Sequence, residues 1–157
     1  MLIAYFILGI ILSTVFALLE IQIEGKNGWA GQLPTWKLYK PWFKYIPGGN
    51  KPLTGYHTFL WMLMFLYPHV TFLLTPWDIE KEIILISFVL LVLRLEDFLW
   101  VVLNPSYGIK KFKKEFLPWH SQWLGPAPVQ YYTSIITWLL LLILGLSLFK
   151  THSNVTF

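Results

Sequence analysis

Residues 83–103 read IILISFVLLVLRLEDFLWVVL, an apolar run with the length of a membrane-spanning helix and three ionisable residues near its end. A helix needs about 20 mainly apolar residues to cross the hydrocarbon core of a bilayer. Three further runs meet this requirement, at about residues 1–23, 56–74 and 131–149. The sequence therefore predicts an all-α, polytopic integral membrane protein, a four-transmembrane-helix bundle that forms a single domain over residues 1–157.

The composition favours the same class of protein. Hydrophobic residues make up 56% of the chain, and charged residues only 13%. A soluble domain of this length cannot bury that much apolar surface. The chain has no cysteine, which excludes disulfides, thiolate nucleophiles and metal sites built on Cys.

The distribution of basic residues predicts the topology. Nine of the twelve lie in two long loops, residues 24–55 and 104–130. The positive-inside rule makes both loops cytoplasmic and both termini extracytoplasmic. The first apolar run has no basic n-region and no small-residue cleavage site, so it is expected to be a retained helix.

Both loops interleave lysines with aromatic residues, which is typical of segments that lie in the membrane interface. Since the lysines sit between apolar runs, the net charge of +4 favours membrane lipids as partners over nucleic acid, and no nucleic acid is expected. Association with further copies of the chain is left open.

Ionisable residues inside the predicted helices need a partner or a function, because each costs at least ~2.5–3.5 kcal/mol in a membrane. The third helix has Arg94, Glu96 and Asp97 within one turn. The first has a stripe of small and acidic residues at spacings of three and four, which predicts an inward face. That stripe comprises Gly9, Ser13, Ala17, Glu20 and Glu24.

These acids and two histidines are expected to meet at the basic-loop end of the bundle. Glu20 and Glu24 end the first helix, and His57 begins the second. Asp97 lies about 10 Å above Asn104 along the third helix, and His120 follows in the second basic loop. The sequence therefore predicts a polar pocket at the cytoplasmic interface.

Two kinds of chemistry fit such a pocket. Carboxylates and imidazoles without thiols suit a divalent metal such as zinc, manganese or iron. The candidate metal ligands are Glu20, Glu24, His57, Asp97 and His120, although their spacing matches no established metal motif. Metal-free acid–base catalysis is the alternative, and in either case Glu20, His57 and Asp97 are the candidate catalytic residues.

The sequence favours an enzyme that acts on a lipid or amphipathic substrate. Arg94 is expected to orient Asp97 or a substrate anion, although the two are also spaced to neutralise one another. The candidate ligand-binding residues are Arg94, Glu96, Asn104, Trp61, Trp119 and Tyr131. A small transporter, a channel or a membrane partner subunit that uses the intramembrane charges is the alternative function.

Overall fold

Four α-helices dominate the chain in a computed structural model that describes residues 2–45 and 51–155. They are α1 (Leu2–Glu24), α2 (Gly55–His69), α3 (Ile79–Leu103) and α4 (Val129–Val155). The remaining residues, Met1, 46–50 and 156–157, lie outside the described residues, and with them small parts of the predicted first helix and first loop. The prediction of a mostly helical chain with four main helices is confirmed.

Two of these helices are long and apolar enough to cross a membrane. They are α1 over Leu2–Glu24 and α4 over Val129–Thr151, with mean hydropathies of 2.6 and 2.1. Helix α2 has only 15 residues before it continues as a 3-10 turn at Val70–Leu73. Helix α3 is long enough, but its apolar run is interrupted by Arg94, Glu96 and Asp97.

Helix α3 is the centre of the fold. It packs most extensively against α1 and α4, and α2 contacts it less. The buried face of α1 contains the small and acidic residues of the predicted stripe. Ser13 lies fully inside this contact, and its hydroxyl is 2.7 Å from the carbonyl oxygen of Gly9 and 3.2 Å from that of Val92 on α3.

Side chains that cap helix starts explain two of the observed boundaries. Asp78 accepts a hydrogen bond from the Lys81 backbone N–H at 3.0 Å, so α3 begins at Ile79, earlier than the predicted residue 83. Thr54 accepts from the His57 backbone N–H at 3.1 Å and so fixes the start of α2. The regular α2 helix ends at His69, directly after Pro68, which lies in its last turn.

The two long loops contain short antiparallel ribbons that the all-α prediction omitted. Strands β1 (Lys37–Leu38) and β2 (Leu53–Thr54) pair in the first loop, and β3 (Trp123–Leu124) and β4 (Ala127–Pro128) pair in the second. Short 3-10 turns occur at Pro41–Tyr45 and Ile109–Lys111. Each ribbon leads directly into a helix, so β2 positions the start of α2 and β4 positions the start of α4.

Candidate functional site

A cavity of about 500 Å³ lies at the ends of the helices that the two basic loops connect. All four helices and both long loops contribute to its wall. The ionisable and polar side chains of that wall are Glu20, Glu24, Lys51, His57, Arg94, Glu96, Asp97, Gln130, Thr133 and Ser134. Trp29, Trp61, Trp100 and Trp119 supply much of its aromatic surface. The cavity therefore combines a charged interior with an aromatic lining.

Two carboxylates and one imidazole meet on one side of this cavity. The Nε2 atom of His57 is 3.6 Å from Oε1 of Glu20 and 3.7 Å from Oε1 of Glu24. One ligand atom from each of the three residues lies within 4.8 Å of the others. The exposed fraction is 7% for Glu20, 7% for Glu24 and 4% for His57. This Glu20–Glu24–His57 cluster could hold a metal ion.

Local structure explains why the cluster forms. Glu20 and Glu24 are one helical turn apart on the buried face of α1. The hydroxyl of Thr54 is 2.7 Å from Nδ1 of His57, which fixes the imidazole ring and leaves Nε2 facing the carboxylates. A ring held through one nitrogen while the other faces a cluster of acids is the usual arrangement of a metal-binding histidine.

The loop after α1 holds the cluster from the other side. Trp29 and Ala30 have φ values of 59° and 51°, in the left-handed region that residues other than glycine seldom adopt. The Trp29 ring stacks on the His57 ring with their centroids 3.9 Å apart. The Ala30 backbone N–H donates a short hydrogen bond to Glu24. The backbone strain therefore lies where the loop orients two members of the cluster.

Lys51 brings a positive charge to the acids. Its ammonium group lies 3.2 Å from the centroid of the Trp29 ring, and it lines the cavity. Burial lowers the pKa of Lys51 to about 8, although the negative charges of Asp97, Glu20 and Glu24 favour the protonated form. In the sequence, Lys51 and Trp29 are two of the many basic and aromatic residues of the first loop. No local pattern marked either residue, because their contact depends on how the first loop folds back.

Asp97 and His120 form a second polar network instead of joining the cluster. Oδ2 of Asp97 accepts hydrogen bonds from Arg94 Nη1 at 3.1 Å and from the Tyr131 hydroxyl at 2.5 Å. His120 Nε2 lies 3.6 Å from the same oxygen, and Gln130 donates to His120 Nδ1 at 2.5 Å. Burial lowers the pKa of His120 to about 4, against the attraction of Asp97. The five predicted metal ligands thus separate into a cluster of three and a pair.

The remaining predicted site residues fall on both sides of the cavity wall. Glu96 lines the cavity, and its carboxyl group interacts directly with that of Glu20. Trp61 and Trp119 also line it, whereas Tyr131 and Asn104 do not. Asn104 connects the end of α3 to the end of α1 instead, because its Nδ2 donates a hydrogen bond to the carbonyl oxygen of Gly25 at 2.7 Å.

Three buried polar atoms of the cavity residues have no hydrogen-bond partner within the described part of the chain. They are the Glu96 carboxyl oxygen Oε1, Arg94 Nε and Trp100 Nε1. Burying a polar group without a partner costs free energy, so such atoms are uncommon in folded proteins. Their position is that expected of groups that meet a ligand.

The chain matches no protein-family model, no curated protein and no solved structure.

Proposed function

We propose that the chain is a four-span membrane enzyme in which Glu20, Glu24 and His57 bind a divalent metal ion. The substrate is a lipid or another amphipathic molecule. The geometry of the cluster is the observation that supports this proposal. Distances of 3.6 and 3.7 Å from His57 Nε2 to the carboxylate oxygens are too long for hydrogen bonds. Tetrahedral bonds of about 2.0–2.2 Å separate ligand atoms by about 3.3–3.6 Å, close to the spacing here.

The charge balance of the cavity favours a cation. Its described wall has four carboxyl groups, from Glu20, Glu24, Glu96 and Asp97, against the two basic side chains of Lys51 and Arg94. Buried charges without compensation are costly. One divalent cation would balance the two excess negative charges. Two protons bound to the carboxyl groups would also balance these charges. The test therefore has to distinguish a metal enzyme from an enzyme that performs acid–base catalysis without a metal.

Three protein ligands leave a coordination position for water, as in catalytic zinc sites. Held there by Glu20, Glu24 and His57, a metal ion would supply a hydroxide nucleophile, because it would lower the pKa of a water molecule. Glu96 lies beside Glu20 and has a free buried oxygen, so we assign to it the role of accepting a proton from the water. The matching reaction is hydrolysis of an ester, amide or phosphoester. The water oxygen would bond to the acyl or phosphoryl centre, the bond from that centre to the leaving group would break, and Glu96 would pass the proton to the leaving group.

Four spans would place this cavity at the cytoplasmic interface. Helix α2 is about 22 Å long, and the 3-10 turn that follows adds about 8 Å. Their combined length is close to the thickness of the hydrocarbon core of a bilayer, about 30 Å. The outer face of α2 is apolar and exposed at Phe59, Leu63 and Leu66. The charged residues within the apolar run of α3, Arg94, Glu96 and Asp97, line the cavity. An amphipathic molecule in the inner leaflet would then reach the cavity with its polar end.

The test is metal binding by the full chain purified in detergent. The protein is stripped with a chelator, reloaded separately with zinc, manganese or ferrous iron, and its metal content is measured by mass spectrometry. We expect one ion per chain in the wild type. Glu20→Gln and His57→Ala each remove a metal ligand. Each should weaken metal binding by at least about tenfold, because replacing residues that only hydrogen-bond to a metal ligand already costs about that much.

The chain provides a matched control outside the cavity. His69 forms a comparable histidine–acid pair with Glu82, with 3.0 Å between Nε2 and Oε1. His69→Ala should therefore leave the metal content unchanged. Equal metal content in wild type, Glu20→Gln and His57→Ala would refute the metal site. Transport in liposomes that is abolished by Glu20→Gln without any bound metal would instead identify the transporter alternative.

A further inference from the structure

Arg94 has a guanidinium group that is held at two of its three nitrogens and has no partner at the third. Its Nη1 donates to Asp97 at 3.1 Å and its Nη2 donates to Ser134 at 3.1 Å. The guanidinium carbon also lies 4.7 Å from the centroid of the Tyr131 ring. The Nε atom is buried and has no partner among the described residues, although Arg94 lines the cavity. A guanidinium that is fixed on two sides is pre-organised to bind an anion through its remaining edge.

Trp100 offers a second unused donor on the same cavity wall. Its exposed fraction is 4%, and its Nε1 has no hydrogen-bond partner in the described ranges. An indole N–H can only donate, so the group that satisfies it must be an acceptor. Glu96, one helical turn earlier on α3, also leaves a buried oxygen unpaired. The indole N–H of Trp100 and the carboxyl oxygen of Glu96 lie on the same face of α3, but they do not pair with each other.

Lys51 completes the set of donors. It lines the cavity and reaches it from the first loop, independently of α3. The cavity therefore presents two cationic side chains and a free indole N–H, as well as the Glu20–Glu24–His57 cluster. A ligand that uses both parts needs several acceptor oxygens and a negative charge.

We propose that the cavity binds a phosphate group of its substrate, through Arg94 and Lys51 with Trp100 Nε1 as a further donor. A phosphate has oxygens on several sides, so it can accept hydrogen bonds from Arg94 and still reach an ion at the cluster. A carboxylate offers only two oxygens in one plane. The substrate class is thus a phosphoester. The hydrolysis of that phosphoester rests on the proposed function, whereas the binding of the phosphate group does not.

The experiment measures phosphate binding by the full chain in a phosphate-free maltoside detergent. Inorganic phosphate and a short-chain phosphatidic acid are titrated separately by calorimetry, and the metal content of each sample is recorded. Arg94→Lys keeps a positive charge beside Asp97 but removes the guanidinium edge. Trp100→Phe keeps an aromatic ring but removes the N–H. Each should weaken binding by about tenfold or more, since hydrogen bonds to charged groups contribute about that much, and neither should change the metal content.

The matched control is Trp77→Phe. Trp77 also donates through its indole N–H, to Glu82 at 3.1 Å, but it lies outside the cavity. This variant should bind phosphate like the wild type. Thermal unfolding of every variant in the same detergent identifies a loss of fold.

The outcomes separate this inference from the proposed function. Phosphate binding that falls in both variants, whether or not metal is bound, supports the phosphate site. If metal is absent while this pattern holds, the metal enzyme is refuted and the phosphate site stands. Tighter binding of phosphatidic acid than of inorganic phosphate assigns the group to a lipid, and equal binding assigns it to the phosphate alone. Wild-type affinity in folded Arg94→Lys and Trp100→Phe, or no binding by the wild type, overturns the inference.

Discussion

Glu24 shows how a single side chain links the strained loop to the candidate site. Its Oε1 atom accepts a hydrogen bond from the Ala30 backbone N–H and lies 3.7 Å from His57 Nε2. The left-handed backbone at Trp29 and Ala30 is unfavourable by itself. It persists because surrounding contacts compensate for its cost in free energy. At the scale of single residues, the site is therefore held by its loop as much as by its helices.

His120 gives a prediction at the same scale, because it lies in the second loop and is fully buried. Burial gives it a pKa of about 4 in the folded chain against 6.5 in the unfolded chain. The unfolded chain therefore binds the proton more strongly below pH 6.5. Stability is retained above that pH and falls as the pH decreases from 6.5 towards 4. The loss would amount to about 3 kcal/mol if His120 alone determined it.

The variant that checks this is His120→Asn, which can still accept a hydrogen bond from Gln130 but does not titrate in this range. Its unfolding free energy in detergent should depend less on pH between 4 and 6.5 than that of the wild type. Denaturant titrations at several pH values measure the difference. Superimposable pH profiles for the two proteins would show that His120 is not buried in its neutral form.

At the scale of elements, the central position of α3 depends on close approach by its neighbours. A Cβ atom added at Gly145 of α4 would lie 2.7 Å from Ile84 Cγ1 and 3.2 Å from the Ile84 backbone nitrogen. A Cβ added at Gly9 of α1 would lie 3.1 Å from Cδ2 of Leu91, the end of a flexible side chain. The α3–α4 contact is therefore the less tolerant of the two.

Two glycine substitutions test that difference. Gly145→Ala should destabilise the protein by about 1–3 kcal/mol, the usual effect of overpacking, because backbone and a branched side chain have to move. Gly9→Ala should have a smaller effect, since the Leu91 side chain can rotate away. Thermal unfolding in one detergent compares the two variants directly. A larger loss for Gly9→Ala would contradict the packing described for α3 and α4.

The sequence was informative about elements wherever a repeating pattern spans several turns. The spacing of Gly9, Ser13, Ala17 and Glu20 predicted the buried face of α1, and the structure buries all four residues. The ribbons were not predicted, because each strand has only two residues and no alternation can be recognised over that length. Since β2 leads into α2, this unpredicted pairing also positions the start of the helix that carries His57.

The site was predictable only to the level of its helices. Residues near helix ends that the same loop connects were expected to be close together, which placed Glu20 and His57 in one group. Which acid pairs with which base depends on side-chain contacts between segments distant in sequence. The spacing of three residues indicated the pair of Arg94 and Asp97, but no spacing within the chain could have indicated that Tyr131 and His120 also contact Asp97.

At the scale of the whole molecule, the exposed apolar surface and the cavity have to be consistent with one membrane topology. Two helices could cross a bilayer by length and composition. If only α1 and α4 crossed, the long loops and the α2–α3 connection would all lie on one side. If all four crossed, the α2–α3 connection would lie on the side opposite to both basic loops. The two arrangements therefore differ in the location of a short segment around Thr75.

Single cysteines distinguish these topologies cleanly, because the natural chain has none. Thr75, Lys40 and Lys113 are exposed and represent the α2–α3 connection and the two basic loops. In intact bacterial cells, a membrane-impermeant maleimide should label Thr75→Cys, and it should label Lys40→Cys and Lys113→Cys only after permeabilisation. This result follows from four spans with the basic loops cytoplasmic. Equal labelling of all three would refute four spans. The reverse pattern would keep them but invert the protein, and the cavity would then open towards the outer leaflet.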